Sequence, residues 1–168
     1  MSINTIFERR SVRKYTGEKV SKEQLNEILK AGMQSPSACN SQPWDFLVID
    51  KEDLLNKITE FHPYSQMLKQ ASHAIIVCGV PEREVASGYW PQDCAASTEN
   101  MLLAITALGL GGVWLGVYPN EHLCETLRKT FNIPSSIVPF SIISLGYPNE
   151  TREPDNRYDE GKIHINMW

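Results

Sequence analysis

The densest chemistry in the chain lies near its start. Arg9-Arg10-Ser11-Val12-Arg13-Lys14 places four cations and a hydroxyl in six residues. Guanidinium forks match phosphate oxygens in bidentate geometry, and a serine hydroxyl adds a donor. At the end of a short helix these groups can converge on one anion, although a solvated basic face has the same composition. A second segment, Ser35-Pro36-Ser37-Ala38-Cys39-Asn40-Ser41-Gln42-Pro43-Trp44, is stiffened by two prolines. Between them Ser37, Asn40, Ser41 and Gln42 can both donate and accept. That suits the edge of a heteroaromatic ring, and equally an ordinary helix-to-strand loop. A third feature is Leu115-Gly116, because a glycine inside a strand-like run marks a close backbone approach or tight packing. The fourth is Arg157, in the polar segment Glu153-Pro154-Asp155-Asn156-Arg157-Tyr158.

Other chemistries are absent. No GxGxxG follows a strand-like run, and neither a P-loop nor a Gly-x-Ser-x-Gly elbow occurs. His62, His73, His122 and His164 are isolated, so no metal site is expected. Cys39, Cys78, Cys94 and Cys124 form no CxxC pair and read as reduced, mostly buried thiols. The first twenty residues lack the apolar core of an export signal, which points to a cytoplasmic chain. A net charge of −4 argues against a general nucleic-acid binder. Residues 101–118 carry no charge, but Gly109, Gly111 and Gly112 break the run into helix and strand, so no membrane association is expected.

The 168 residues suffice for one domain with its own core. Helix-like and strand-like segments alternate along the chain, as in an α/β or α+β layered fold. Helices are expected over 3–10, from a capping box at Ser21 and Gln24 to near Ser35, over 51–60, over 93–108, and from Asn120 to Phe131. Strands are expected over 44–49, 74–80, 113–117 and 140–147. The 93–108 helix lacks a polar face and belongs in a core or an interface. Residues 148–162 are polar and loop-like. Ile163, Ile165 and Met167 then alternate with polar or aromatic residues at strand period, either as a strand added to a partner chain or as a tail on the chain's own surface.

Taken in order, RRSVRKY, SPSACNSQPWDFLVI, ASHAIIVC, GLGGVWLGVYP and DNRYDEGKIHINMW make the chain resemble the flavin-dependent nitroreductase family over nearly its whole length, in a short form. The resemblance implies an α+β fold with a central mixed or antiparallel sheet flanked by helices, in a single domain over 1–168. It implies a homodimer with FMN at the interface, in which residues 148–168 reach the partner and exchange a C-terminal strand. Arg9, Arg10 and Ser11 match positions at the FMN phosphate and ribityl chain, and Arg157 matches a further phosphate contact. Arg13 matches a cation beside flavin N1 and O2, where positive charge favours the reduced ring. Pro36, Ser37, Asn40 and Gln42 match the loop that borders the flavin, and Leu115 and Gly116 match the backbone that faces N5.

The implied activity is two-step hydride transfer from NADH or NADPH, through the flavin, to a small acceptor such as a nitroaromatic or quinone. The chemistry resides on the cofactor, so no catalytic side chain is singled out. Relatives that dehalogenate or that fragment flavin, and a non-catalytic FMN-binding protein, are the alternatives. The chain departs from longer members in three places. Only 81–92 separates the third strand region from the central helix, which leaves open what covers the flavin. Residues 64–67 lack the Asn and Lys of larger relatives. Leu115 stands where an acidic residue is common.

Overall fold

The computed structural model describes residues 2–168. In chain order the elements are α1 (Asn4–Glu8), α2 (Lys22–Met33), β1 (Trp44–Ile49), α3 (Glu52–Phe61), β2 (His73–Gly79), α4 (Trp90–Ala107), β3 (Gly111–Gly116), α5 (Glu121–Phe131) and β4 (Val138–Gly146). The strands form one sheet in the order β1-β2-β4-β3, with every neighbouring pair antiparallel. This is the expected α+β architecture. The sole parallel contact of the sheet among the described residues is an isolated bridge between Ser11 and Gly112.

The continuous apolar runs of β2 and β4 follow from their central place, because a strand covered on both faces has no polar side. Every residue of β2 is buried. Alternation divides these strands between two cores. Ile76, Cys78, Leu115 and Ile142 pack with Leu55 and Ile58 of α3 and Leu127 of α5. Ile75, Val77, Ile143 and Leu145 pack on the other face with Ile28 of α2 and with Met101 and Ile105 of α4. Helix α4 lies close to α2, where Ser97 donates to the Gly32 carbonyl at 3.0 Å.

The caps sit where the sequence places them. The capping box of Ser21 and Gln24 opens α2, and the Asn120 side chain accepts the Leu123 N–H at 3.1 Å. Strands β3 and β4 each begin two residues earlier than the sequence reading, and two helix boundaries also differ. Helix α1 ends at Glu8, and Arg9 is already extended at φ −54° and ψ 123°. Helix α4 begins at Trp90 rather than Asp93, because the Glu84 carboxylate accepts the N–H groups of Trp90 and Gly88. Residues 81–92 are therefore a short turn, Pro81–Arg83, an irregular link over 84–89, and the start of the helix.

The tail departs further. Residues 163–168 form no strand within one chain, and Ile165 and Met167 are 79% and 84% exposed. Nor is α4 enclosed on every side, since Ala95, Ala96, Leu103 and Thr106 remain half-buried. Of the cysteines, Cys39 is exposed and the other three are buried without disulfides. Burial raises the Cys78 thiol to about 12, and raises Cys94 and Cys124 as well.

The N-terminal segment reaches the sheet through a glycine. A Cβ on Gly111 would lie 2.7 Å from Val12 Cγ1 and 2.8 Å from its Cβ, too close for either to stay in place. Gly111→Ala is expected to cost about 1–3 kcal/mol through overpacking. The measurement is the shift in Tm of the purified protein, and an unchanged Tm would contradict this contact.

Candidate active site

The basic segment becomes a site because α1 ends early. Beyond Glu8 the chain runs extended along the outer edge of β3, and the Val12 N–H donates to the Gly112 carbonyl at 3.0 Å. Tyr15 ties the segment down from below. Its hydroxyl donates to the Val12 carbonyl at 2.8 Å and accepts from the Ser144 hydroxyl at 2.6 Å. Burial raises the Tyr15 phenol well above its usual range, so it is a neutral anchor. Residues 147–149 then pair with 14–16, through Thr16 N–H to the Tyr147 carbonyl and Asn149 N–H to the Lys14 carbonyl.

This pairing folds the start of the polar tail over the arginines. Arg9, Arg10, Ser11, Arg13, Arg152 and Arg157 line one groove of about 530 Å³, with Glu153 and Asp155 on its rim. A neighbouring cavity of about 590 Å³ shares Arg9, Arg10 and Arg157 and adds Ile6, Phe7 and Tyr158. Acidic partners orient the guanidinium groups. Arg9 Nε lies 3.4 Å from Glu99 of α4, and Arg157 Nη2 lies 3.1 Å from Asp155. Arg10 donates to the Arg9 and Glu153 carbonyls, while its Nη2 is buried with no partner. A buried guanidinium nitrogen without an acceptor is an unspent donor, and it fits an anionic oxygen.

Two residues here carried no sequence signal. Glu150 accepts the Arg13 N–H at 2.6 Å and pairs with Arg152 at 3.3 Å. The Arg13 N–H, and behind it the Arg152 guanidinium, hold the Glu150 carboxyl below the usual glutamate range. Glu150 is not findable from a local pattern, because its contact with Arg13 spans 137 residues.

The second segment lies elsewhere. None of Pro36, Ser37, Asn40 and Gln42 lines the arginine groove. Their loop is conformationally unusual: Cys39, Asn40 and Gln42 all have positive φ, at 52°, 54° and 47°. Such conformations cost on the order of 1–3 kcal/mol each and cluster at functional sites. Internal bonds hold the shape, with Gln42 N–H donating to Ser37 Oγ at 2.9 Å and Gln42 Nε2 donating to Asn40 Oδ1 at 3.2 Å. Asp93 of α4, which sequence reasoning did not single out, accepts the Ala38 N–H at 3.0 Å through Oδ1. Its Oδ2 is buried without a partner.

The third segment is split by strand parity. Leu115 sits in the core opposite Ile142, and because the Gly112 and Gly116 carbonyls are taken from outside the sheet, alternation turns the Leu115 main-chain groups toward β4. Gly116 is a residue of opposite parity. Its carbonyl points outward, where His62 Nε2 lies 2.9 Å away, and alternation turns its N–H to the same free edge. A Cβ on Gly116 would meet nothing, so space stands open above it. Gly112, which carries Val12, is four residues along the same edge, about 13 Å away at strand rise. The arginines and the open Gly116 backbone thus lie along one margin of the sheet.

The sequence profile of the Nitroreductase family matches residues 6–62 and 61–147. The chain belongs to the nitroreductase family. A relative from Archaeoglobus fulgidus, named "Putative NADH dehydrogenase/NAD(P)H nitroreductase", is 45% identical over 170 residues, covering 99% of this chain and 98% of its own. A crystal structure of the same name from Bacteroides thetaiotaomicron superposes with a TM-score of 0.94 at 42% identity, over 99% and 97% of the two chains. An "FMN-dependent Nitroreductase" from Clostridium difficile superposes at 0.90 with 29% identity, over 99% of this chain and all of that one. These nitroreductases share the sheet and helices described above. Among the described residues no group of three His, Cys, Asp or Glu could hold a metal ion, and no helix is long and apolar enough to cross a membrane.

The Glu150 contact gives a pH-dependent signature. Its lowered carboxyl makes a stabilising contribution above the ordinary glutamate pKa that is lost as pH falls through the native value. Glu150→Gln is therefore expected to be less stable than the parent at neutral pH, and the difference to close in acid. Denaturant midpoints of both proteins across pH check this, and a difference independent of pH would contradict it.

Proposed function

We propose that this nitroreductase-family chain is an FMN-dependent NAD(P)H oxidoreductase that works as a homodimer on small electron acceptors. One observation carries the reading: Arg9, Arg10, Ser11, Arg13, Arg152 and Arg157 line one groove, with Arg10 Nη2 buried and unspent, beside the strand whose end exposes Gly116. Bound FMN would supply the redox chemistry, taking electrons from NADH or NADPH and passing them to a nitroaromatic, a quinone or a similar acceptor. Everything else is the work of this chain. Arg9, Arg10, Ser11 and Arg157 would hold the phosphate and ribityl chain through charge-assisted bonds. Arg13 would place positive charge where negative charge develops at N1 and O2. The Gly116 main chain would face N5, its missing Cβ letting the ring approach.

The dimer follows from what one chain leaves undone. The Pro36, Ser37, Asn40 and Gln42 loop is shaped but stands apart from the arginine groove, so a partner's loop would complete the site. Exposed Ile3, Ile6 and Phe7 of the N-terminus and Ile163, Ile165 and Met167 of the tail form apolar surface that a second copy would cover. The tail is then free to add its strand to the partner.

Purified protein, mixed with FMN and desalted, is expected to keep a flavin absorption spectrum that NADH or NADPH bleaches anaerobically. No retained flavin would sink the proposal, and retained flavin bleached by neither nucleotide would leave an FMN-binding protein without this turnover. Arg9→Ala and Arg157→Ala are expected to lose FMN on gel filtration with little change in Tm, since both arginines are surface-paired. Cys39 offers a separate check on the loop. It is the exposed cysteine, between Ala38 and Asn40 within this loop. A thiol reagent should label it in FMN-free protein, and FMN should slow that labelling; equal rates would separate the loop from the flavin.

A further inference from the structure

We infer that His62 is a positioning residue, whose imidazole holds the Gly116 carbonyl and thereby sets the main chain that faces flavin N5. The inference rests on the functional reading above for the place of N5, and on geometry for the rest. His62 follows α3 directly and is 2% exposed. Its Nδ1 lies 3.3 Å from the Tyr64 N–H. A main-chain N–H can only donate, so Nδ1 accepts and carries no proton. The proton is on Nε2, which donates to the Gly116 carbonyl at 2.9 Å. Both ring nitrogens are thus engaged by main chain and the tautomer is set. The histidine itself is fixed, because the Ser65 hydroxyl donates to the His62 carbonyl at 2.8 Å.

Gly116 needs such a hold. It is the last residue of β3, and its pairing with Ser141 ends the ladder. Beyond it, the N–H groups of Val117 and Tyr118 share a single acceptor, the Phe140 carbonyl, at 3.3 and 3.0 Å. Gly116 has no Cβ to restrict its φ and ψ; the Val117 N–H ties the 116–117 peptide to β4, and the carbonyl of that peptide takes a second hold from outside the sheet. His62 does this from the side of the strand opposite β4. The ring touches the carbonyl and not the site, so its effect on the chemistry is through orientation.

The test compares His62→Gln, His62→Asn and His62→Leu with the parent, all loaded with FMN isotopically labelled at N5. Gln places an amide donor near the imidazole Nε2, whereas Asn stops at the Nδ1 position and Leu has no donor. The expected result is an N5 magnetic resonance signal displaced in the Leu and Asn variants and restored in Gln. Reduction by NAD(P)H should slow roughly ten- to a hundredfold in Leu and Asn, as for a small misplacement of a reacting group, and recover in Gln. If Leu fails to fold, the Asn and Gln pair carries the comparison. Folded variants with the parent's N5 signal and reduction rate would overturn the positioning role. A parent protein that retains no FMN would instead overturn the functional reading beneath it, so the two failures are distinct.

Discussion

Strand β3 lies at the edge of the sheet, and an edge strand must find partners for main-chain groups that point away from its neighbour. Two carbonyls along this edge find partners from distant parts of the chain. At Gly112 the carbonyl takes the Val12 N–H, which draws the arginine-rich segment alongside. At Gly116 the carbonyl takes the His62 imidazole. The Gly116 N–H turns to the same edge, and it is the group proposed to face the flavin. The early end of α1, the Tyr15 anchor and the 147–149 pairing all serve to keep the basic segment on this edge.

Clustering arginines on one margin of an acidic protein would be self-repelling without counter-charge. Glu99 of α4 and Glu150 and Asp155 of the C-terminal segment supply it. Exposed pairs of this kind contribute little to stability. Their consequence is orientation: they hold guanidinium groups around a shared groove while leaving Arg10 Nη2 unpaired. Surface electrostatics here shapes a site rather than supporting the fold.

The 36–42 loop illustrates preorganisation. Three non-glycine residues in positive φ are costly, and they persist because Pro43 and Trp44 are buried beneath them, Ser37 and Asn40 bond within the loop, and Asp93 grips Ala38. A loop already in its final shape loses less entropy when it closes on a ligand. Within one chain it lies away from the groove it is proposed to complete, so in the proposed dimer assembly and site formation would be the same event.

The sequence alone determined the element order, the capping of α2 and α5, the burial of β2 and β4 and the composition of the basic segment, because these depend on local propensity and short-range periodicity. Family resemblance added the expectation of FMN and of the residues that would surround it. Other features were settled only by the tertiary structure. Glu150 meets Arg13 across most of the chain, and no local pattern encodes such a contact. His62 looked like an isolated histidine until β3 brought Gly116 beside it. Leu115 and Gly116 were equivalent as a pair of letters, and the register with β4 separated them by turning one inward and the other out. The alternating tail remained strandless in the single chain, since a strand is stable only where another edge supplies its hydrogen bonds. Local chemistry is written along the chain, but which groups share an edge is decided by sheet order and register, and these emerge only when distant segments pack.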